Sequence, residues 1–205
     1  MPGVVYENLV KMYGYRNIKL TEPILTSSEL IKKLNHSESV LLKGERTEDD
    51  PRGKTELYTF LLSPGSKYSN KTVEFRKLLK QVPENSNKTI EIMFVSSTEL
   101  TTFIVKQIET HKKSYDNIQI EHHLYDKFEI EIPKHVSVPE HIIMTEEETE
   151  RVCREQSTMK ENFPKISQND TMAVWLGIHP GMLIKINRVS ETACMSVAYR
   201  YCVKG

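Results

Sequence analysis

Apolar positions along the chain follow two periods, arranged in alternating blocks. Residues 57–62 and 90–95 are nearly unbroken apolar runs, the pattern of short strands covered on both faces. Between them Phe75, Leu78, Leu79 and Val82 fall at i, i+3, i+4 and i+7, one stripe of a helix. After the second run, Ser96 and Glu99 have the spacing of a capping box, and Leu100, Phe103, Ile104 and Ile108 supply the stripe of the helix it would open. Residues 118–124 close the series as a third strand. Strand–helix–strand–helix–strand predicts a small sheet with parallel pairs and right-handed crossovers. Ahead of it, residues 1–36 read as helical: Leu9, Val10 and Tyr13 recur at helix spacing, and a Thr26/Glu29 capping box places a helix start near Ser27. Residues 45–54 (ERTEDDPRGK) are charged, contain Pro and Gly, and read as an exposed loop between strands at 40–43 and 57–62.

The pattern changes at residues 129–140 (EIEIPKHVSVPE), whose two prolines place a domain boundary near Ile132 and divide the chain into 1–132 and 133–205. Thr145 and Glu148 form a third capping box, opening a helix polar enough that one side alone touches a core. A short helix is predicted over 170–176, ended by Gly177 in the left-handed conformation and followed by a Pro180-Gly181 turn. Met182, Ile184 and Ile186 alternate with Lys185 and Asn187. Met195, Val197, Tyr199, Tyr201 and Val203 alternate to the end of the chain. Together these predict a half-buried hairpin with 190–194 as its connection. The fold class is therefore α/β followed by α+β: an α/β domain with a small mixed sheet, then a small α+β domain ending in a β-hairpin.

Charge narrows the partners. Lys and Arg total 28 and so do Asp and Glu, with nine of each falling after residue 132. Neither part is a basic module able to hold nucleic acid by charge alone. Cys153, Cys194 and Cys202 are odd in number, widely spaced and without a CxxC pair, which argues for reduced, packed thiols over a disulfide framework or a zinc site. The N-terminal residues lack a signal-peptide pattern, and no apolar run approaches the roughly 18 residues of a membrane span. The chain is expected to be soluble and intracellular, with no membrane partner, so its four N-x-S/T sequons are incidental.

The catalytic patterns that such a fold invites do not assemble. The turn after 57–62 has a lone Gly65 and the turn after 90–95 is Ser-Ser-Thr, so neither cradles a phosphate, and no cofactor is implied. A metal-dependent nuclease would place an acid and a lysine two residues apart on one strand face, and no Asp or Glu has a Lys at i+2. Asp49, Asp50 and Glu56 are dense enough to hold a cation but read as a solvated acidic loop. The seven histidines show no metal spacing, and His122 and His123 point to opposite faces of a strand. Catalytic, metal and cofactor residues are accordingly none. One weak signal for nucleic acid is Lys67, Lys71, Arg76, Lys77 and Lys80, on and before one helix. A second is Ser97-Thr98, read as the start of the next helix, where free N–H groups meet phosphates.

A resemblance takes the reading further. Val138-Pro139-Glu140-His141, Pro164-Lys165-Ile166, Asn169-Asp170, Gly177 with Gly181, Ile184-Lys185-Ile186, Arg188, Ser190-Glu191-Thr192-Ala193 and Tyr199-Arg200 occur in one order over about 70 residues. This run resembles the assembly domain that ends the fifth subunit shared by the three eukaryotic nuclear RNA polymerases, and equally the small archaeal RNA polymerase subunit that corresponds to it. The resemblance implies a non-catalytic subunit of a DNA-directed RNA polymerase, docked on the largest subunit among other core subunits through Lys165, Asp170, Arg188, Glu191, Thr192, Tyr199 and Arg200. By length and element order, the first 130 residues resemble the eukaryotic subunit's jaw, a nuclease-like fold without nuclease chemistry that lies along downstream duplex DNA. There Lys67, Lys71, Lys77, Lys80 and Thr98 would be the DNA contacts. Thr171, Val189 and Cys194 depart from the family pattern, as does Thr98-Glu99 where the jaw has threonine-proline. That divergence, with the Asn- and Lys-rich style, points to a copy carried by a large cytoplasmic DNA virus, acting in host cytoplasm and virion; a cellular copy would be nuclear. A divergent metal-dependent nuclease and a free-standing transcription adaptor are the alternatives.

Overall fold

The unbroken apolar runs become the central strands of a five-stranded sheet in the computed structural model, which describes every residue except 1, 36–38, 47–49, 65–71, 83–87, 115–116 and 191–193. The chain divides into two compact units, Met1–Ile130 and Glu131–Gly205. In the first, the strand order is β1 (Ile18–Leu20), β2 (Val40–Arg46), β3 (Thr55–Leu61), β4 (Thr89–Ser96) and β5 (Ile118–Leu124). The pairs β1/β2 and β2/β3 are antiparallel, while β3/β4 and β4/β5 are parallel. Helices α3 (Thr72–Leu79) and α4 (Thr102–Ser114) make the two crossovers. They cover the face that presents Tyr58, Phe60, Ile92 and Phe94, and the predicted stripe of Phe75, Leu78, Leu79 and Val82 is buried there. Phe75 and Phe60 approach the Phe94 ring at centroid distances of 4.6 and 5.2 Å.

The opposite face belongs to α1 (Pro2–Tyr15), which buries Val5, Leu9, Met12 and Tyr13. The Tyr13 hydroxyl lies 2.9 Å from the Leu42 carbonyl and 3.0 Å from Thr59 Oγ1. Asn8 Nδ2 donates to the carbonyl of Phe128, in a short 3-10 turn at Tyr125–Phe128.

Several expectations for this unit are corrected. Residues 1–36 are not helical throughout, because Asn17 takes a positive φ of 54° and turns the chain into β1 before α2 (Ser27–Asn35). The strand β1 can lie against β2 because position 44 has no side chain. A Cβ there would meet Ile18 Cγ2 at 2.6 Å, the Lys19 carbonyl oxygen at 2.7 Å and Tyr13 Cε1 at 2.9 Å. Ser96 does not cap a helix: its hydroxyl is 2.5 Å from the Thr98 carbonyl, and α4 begins at Thr102, with the Thr101 carbonyl accepting from Ile104 and Val105. In that register Leu100, Ile104 and Ile108 are buried and Phe103 turns outward, 58% exposed.

Residues 45–54 are not simply an exposed loop either. The strand β2 runs on through Arg46, and Arg46 and Asp50 are buried. Their surroundings are ionic: Glu91 on β4 takes Arg16 Nη1 at 3.2 Å on one carboxylate oxygen and Arg46 Nη1 at 3.3 Å on the other. Arg46 Nε also donates to the Arg16 carbonyl at 3.1 Å.

The second unit is a four-stranded sheet ordered β6 (Glu140–Ile143), β8 (Leu183–Ser190), β9 (Cys194–Val203) and β7 (Lys165–Ser167). The pairs β6/β8 and β8/β9 are antiparallel, and β7/β9 is parallel. The short edge strands β6 and β7 were not predicted from the pattern. Helix α5 (Glu146–Glu155) opens with the expected box: Thr145 Oγ1 accepts from Glu148 N at 3.2 Å and Glu148 Oε2 from Thr145 N at 2.9 Å. Helix α6 (Thr171–Leu176) is capped by Asp170 and ended by Gly177 at φ 65°, a conformation that suits glycine. The final strand departs from its predicted alternation. Tyr199 and Tyr201 pack beside Leu183, Met144 and Val152, but Met195 and Val197 are 59% and 49% exposed, because α5 covers only part of that face. Cys202, in the other phase, is fully buried.

Two substitutions test this packing by urea denaturation of the full chain. Gly44→Ala should cost about 2 kcal/mol, since the added methyl is placed against backbone as well as side chains. Glu91→Gln should cost roughly 3 kcal/mol by leaving two buried guanidiniums without their shared carboxylate. A loss under about 0.5 kcal/mol in either would refute the assigned role.

Candidate functional site

A groove of about 740 Å³ lies on one face of the second sheet, and all four strands contribute to it. β6 supplies His141, β8 supplies Ile186 and Arg188, β9 supplies Arg200, and β7 supplies Lys165, Ile166 and Ser167. The turn into α6 closes one side with Asn169, Asp170 and Met172. Pairing explains the grouping: His141 stands opposite Ile186, and Ile184 opposite Arg200, so these side chains share a face although they are far apart in sequence. The floor is apolar, with Met172 and Ile186 buried. Asp170 Oδ1 accepts from Met172 N at 2.9 Å, which holds the carboxylate at the helix start. The His141 ring is fixed by its Nδ1, 2.7 Å from the Pro139 carbonyl.

Four of the seven residues proposed for docking therefore line one groove: Lys165, Asp170, Arg188 and Arg200. Tyr199 does not. It lies opposite Lys185 on the other sheet face, edge-on to Phe163 at a centroid distance of 5.7 Å. Glu191 and Thr192 lie outside the described residues. The groove adds Pro139, His141, Ile166, Met172 and Ile186. Pro139, His141, Ile166 and Ile186 sit within the motifs that carry the resemblance, so that signal was available. Met172 had none beyond its apolar character.

In the first unit the residues proposed for DNA contact are only partly described. Lys67 and Lys71 lie outside the described residues, while Lys77 and Lys80 are exposed on and just after α3. Neighbouring Arg76 donates to Gln107 Oε1 through Nε at 3.2 Å and Nη2 at 2.8 Å. Thr98 is exposed but lies four residues ahead of α4, so it does not lead a helix.

The acidic residues weighed as cation ligands are engaged in pairs. Asp50 is 8% exposed, in contrast to the expected solvated loop. Its Oδ2 lies 2.5 Å from Arg52 Nη2 and accepts from Asn17 Nδ2 at 2.8 Å. These partners outweigh the opposing effect of burial and bring its carboxyl down to about 2. Glu56 accepts from the Tyr58 hydroxyl at 2.8 Å and lies 3.6 Å from Lys88 Nζ, which also reaches Glu45 at 2.9 Å. Asp49 lies outside the described residues. His122 and His123 diverge as their strand requires: His122 Nε2 is 2.7 Å from Ser96 Oγ, and His123 Nε2 is 3.2 Å from Glu121.

The groove-lining residues all fall within the part of the chain that a family of known proteins matches. The family described as RNA polymerase Rpb5, C-terminal domain, matches residues 130–202. The DNA-directed RNA polymerase subunit Rpo5 of Nitrosopumilus maritimus is 38% identical over 78 residues, covering 38% of this chain and 94% of that protein. A DNA-directed RNA polymerase RPB5 homolog of African swine fever virus is 28% identical over 151 residues, 71% of this chain and 72% of the viral protein. The RPABC1 subunit of RNA polymerases I, II and III from Caenorhabditis elegans is 36% identical over 84 residues, 41% of this chain and 40% of that subunit.

One titration is testable. Burial pushes the His122 imidazole down to about 4, and His123 and Lys127 add to the shift. The neutral ring is the folded form, so its contribution is whole above the unfolded value of 6.5 and is lost as pH falls from there through about 4. Thermal unfolding of the full chain should show Tm falling across that window. His122→Gln, which keeps a donor toward Ser96 without a titrating ring, should flatten this part of the profile, and an unchanged slope would assign the acid sensitivity to another group.

Proposed function

Since the chain belongs to the Rpb5/Rpo5 family of RNA polymerase subunits, we propose that it is a non-catalytic subunit of a multisubunit DNA-directed RNA polymerase. Its second unit docks on the largest polymerase subunit, and its first unit forms part of the lower jaw beside downstream DNA. One observation carries the docking assignment: within the family-matched region, Lys165, Asp170, Arg188 and Arg200 converge on one groove. Tyr199, packed on the other face, supports the sheet that presents them. Glu191 and Thr192 belong to the same proposed surface through their motif.

For the first unit, the jaw reading is supported by a mixed sheet with two parallel crossovers and by the viral relative, whose match spans 71% of this chain. A nuclease-like fold stripped of nuclease chemistry fits the engagement of Asp50 and Glu56 by neighbouring cations and hydroxyls. DNA contact in this reading is weak, made within the complex by Lys67, Lys71, Lys77, Lys80 and Thr98. The viral relative also supports a role in viral transcription; a viral copy would act in host cytoplasm and virion, and a cellular one in the nucleus. Affinity purification of the full chain from its native source should recover the largest polymerase subunit in a stable complex on gel filtration. Recovery of the chain free of any large polymerase subunit would overturn the assignment.

A further inference from the structure

The groove has a charge arrangement that specifies what fills it. Along the β8/β9 ladder Arg200 stands opposite Ile184, Ile186 opposite Ala198, and Arg188 opposite Ser196. Two guanidiniums therefore bracket an apolar rung, four residues or about 13 Å apart along the strands. Ala198 is small, so the floor between them is formed by Ile186 and Met172, which are 3% and 7% exposed. Neither Arg188 nor Arg200 makes an ion pair or a side-chain hydrogen bond among the described residues. The buried arginines of the first unit differ, since Arg16 and Arg46 share Glu91. Acidic residues of the second unit are concentrated elsewhere, five of them on α5: Glu146, Glu147, Glu148, Glu150 and Glu155. Residues 133–205 are neutral in sum, yet the groove is locally cationic.

We propose that the groove binds an extended acidic–aliphatic segment of a partner protein, with an aliphatic side chain on Ile186 and Met172 and flanking carboxylates on Arg188 and Arg200. This rests on the subunit reading above and adds the chemistry of the partner's segment. An unpaired guanidinium at a protein interface is a strong anchor for a carboxylate, because the planar donor fork fits it in a bidentate bond. Carboxylates about four residues apart in an extended chain match the spacing of the two arginines. Nucleic acid fits less well. Among the described residues the groove lining has no Phe, Tyr or Trp on which a base would stack. An apolar floor adds nothing to phosphate binding but is filled by a Leu or Ile side chain.

Two measurements on the full chain decide the matter. In co-expression with the largest polymerase subunit of its source, Arg188→Glu/Arg200→Glu should reduce recovery of the complex about tenfold or more, with the Tm of the isolated chain unchanged. Arg188→Lys/Arg200→Lys keeps the charge and places amines at the same positions, so zero-length carbodiimide coupling should join them to Asp or Glu of the partner. A charge-reversed chain that assembles like wild type overturns the proposal while leaving the subunit reading intact. So does coupling confined to this chain, or ultraviolet crosslinking of the groove to nucleic acid.

An independent arm uses fluorescence anisotropy with a synthetic peptide repeating Glu-Ser-Leu-Ser, which in extended form puts Glu and Leu on one face with carboxylates four residues apart, against the same peptide with Lys for Glu and a third with Ser for Leu. Binding of the first alone, lost in the charge-reversed variant, supports the groove chemistry even if no complex forms with wild type, in which case the subunit reading fails instead. Equal binding of all three peptides, or of none, overturns the proposal.

Discussion

In the first unit a single carboxylate holds the arrangement together. Glu91 sits on the inner strand β4 and divides its two oxygens between Arg16, just past the end of α1, and Arg46, at the end of β2. Arg46 also donates to Thr55 Oγ1 on the intervening strand β3, so three adjacent strands and one helix meet at these atoms. Burying such charges is expensive, and the attraction between them offsets that expense only with this geometry. The consequence is specificity. A one-residue slip of β2 against β3 would move Arg46 to the face occupied by Tyr58, Phe60 and Phe94, where it would have no carboxylate. Apolar burial on both faces makes the sheet stable in many registers, and the ionic cluster selects one of them.

The second unit solves a different problem with a smaller sheet. Its central hairpin is apolar on both sides over a short span, with Leu183 and Tyr201 packed with Val152 of α5 on one and Ile184, Ile186 and Cys202 buried on the other. Two helices of 10 and 6 residues cannot cover four strands. What they leave open differs between the faces: Ile142, Met195 and Val197 on one, and the cationic groove on the other. A core of this size is closed around Cys202 and leaves the groove where coverage stops. No catalytic machinery is required for such a surface, only fixed side chains at fixed spacing.

How much of this was legible follows from the length of each signal. The parallel strands and the stripe of α3 could be read because each repeats an apolar preference over six or more positions. Caps could be read where the side chain has one local task, as at Thr145 with Glu148, and the end of α6 could be read from Gly177. The strands β1, β6 and β7 could not, because three or four residues carry no period and their place is decided by partners distant in sequence. Gly44 admits β1, yet glycine alone does not announce which strand will approach it. Asp50 looked solvated because its neighbours are charged, and Asn17, one of the groups that keeps it dry, lies 33 residues away. The groove was half legible. Its motif residues were recognisable by resemblance, but the period of two that sends Arg200 to one face and Tyr199 to the other has meaning only once the register is known.

The hydrogen bond from Asn8 to Phe128 spans 120 residues. A ribosome releases α1 first, yet the carbonyl that Asn8 needs emerges only after every strand of its sheet has been made. Until then the apolar side of α1, with Val5, Leu9 and Met12, has no finished surface to lie on. The first unit must therefore mature as a whole after its last turn leaves the exit tunnel, rather than stepwise along the chain. The second unit closes its own sheet from residues 140 to 203 and needs none of that wait.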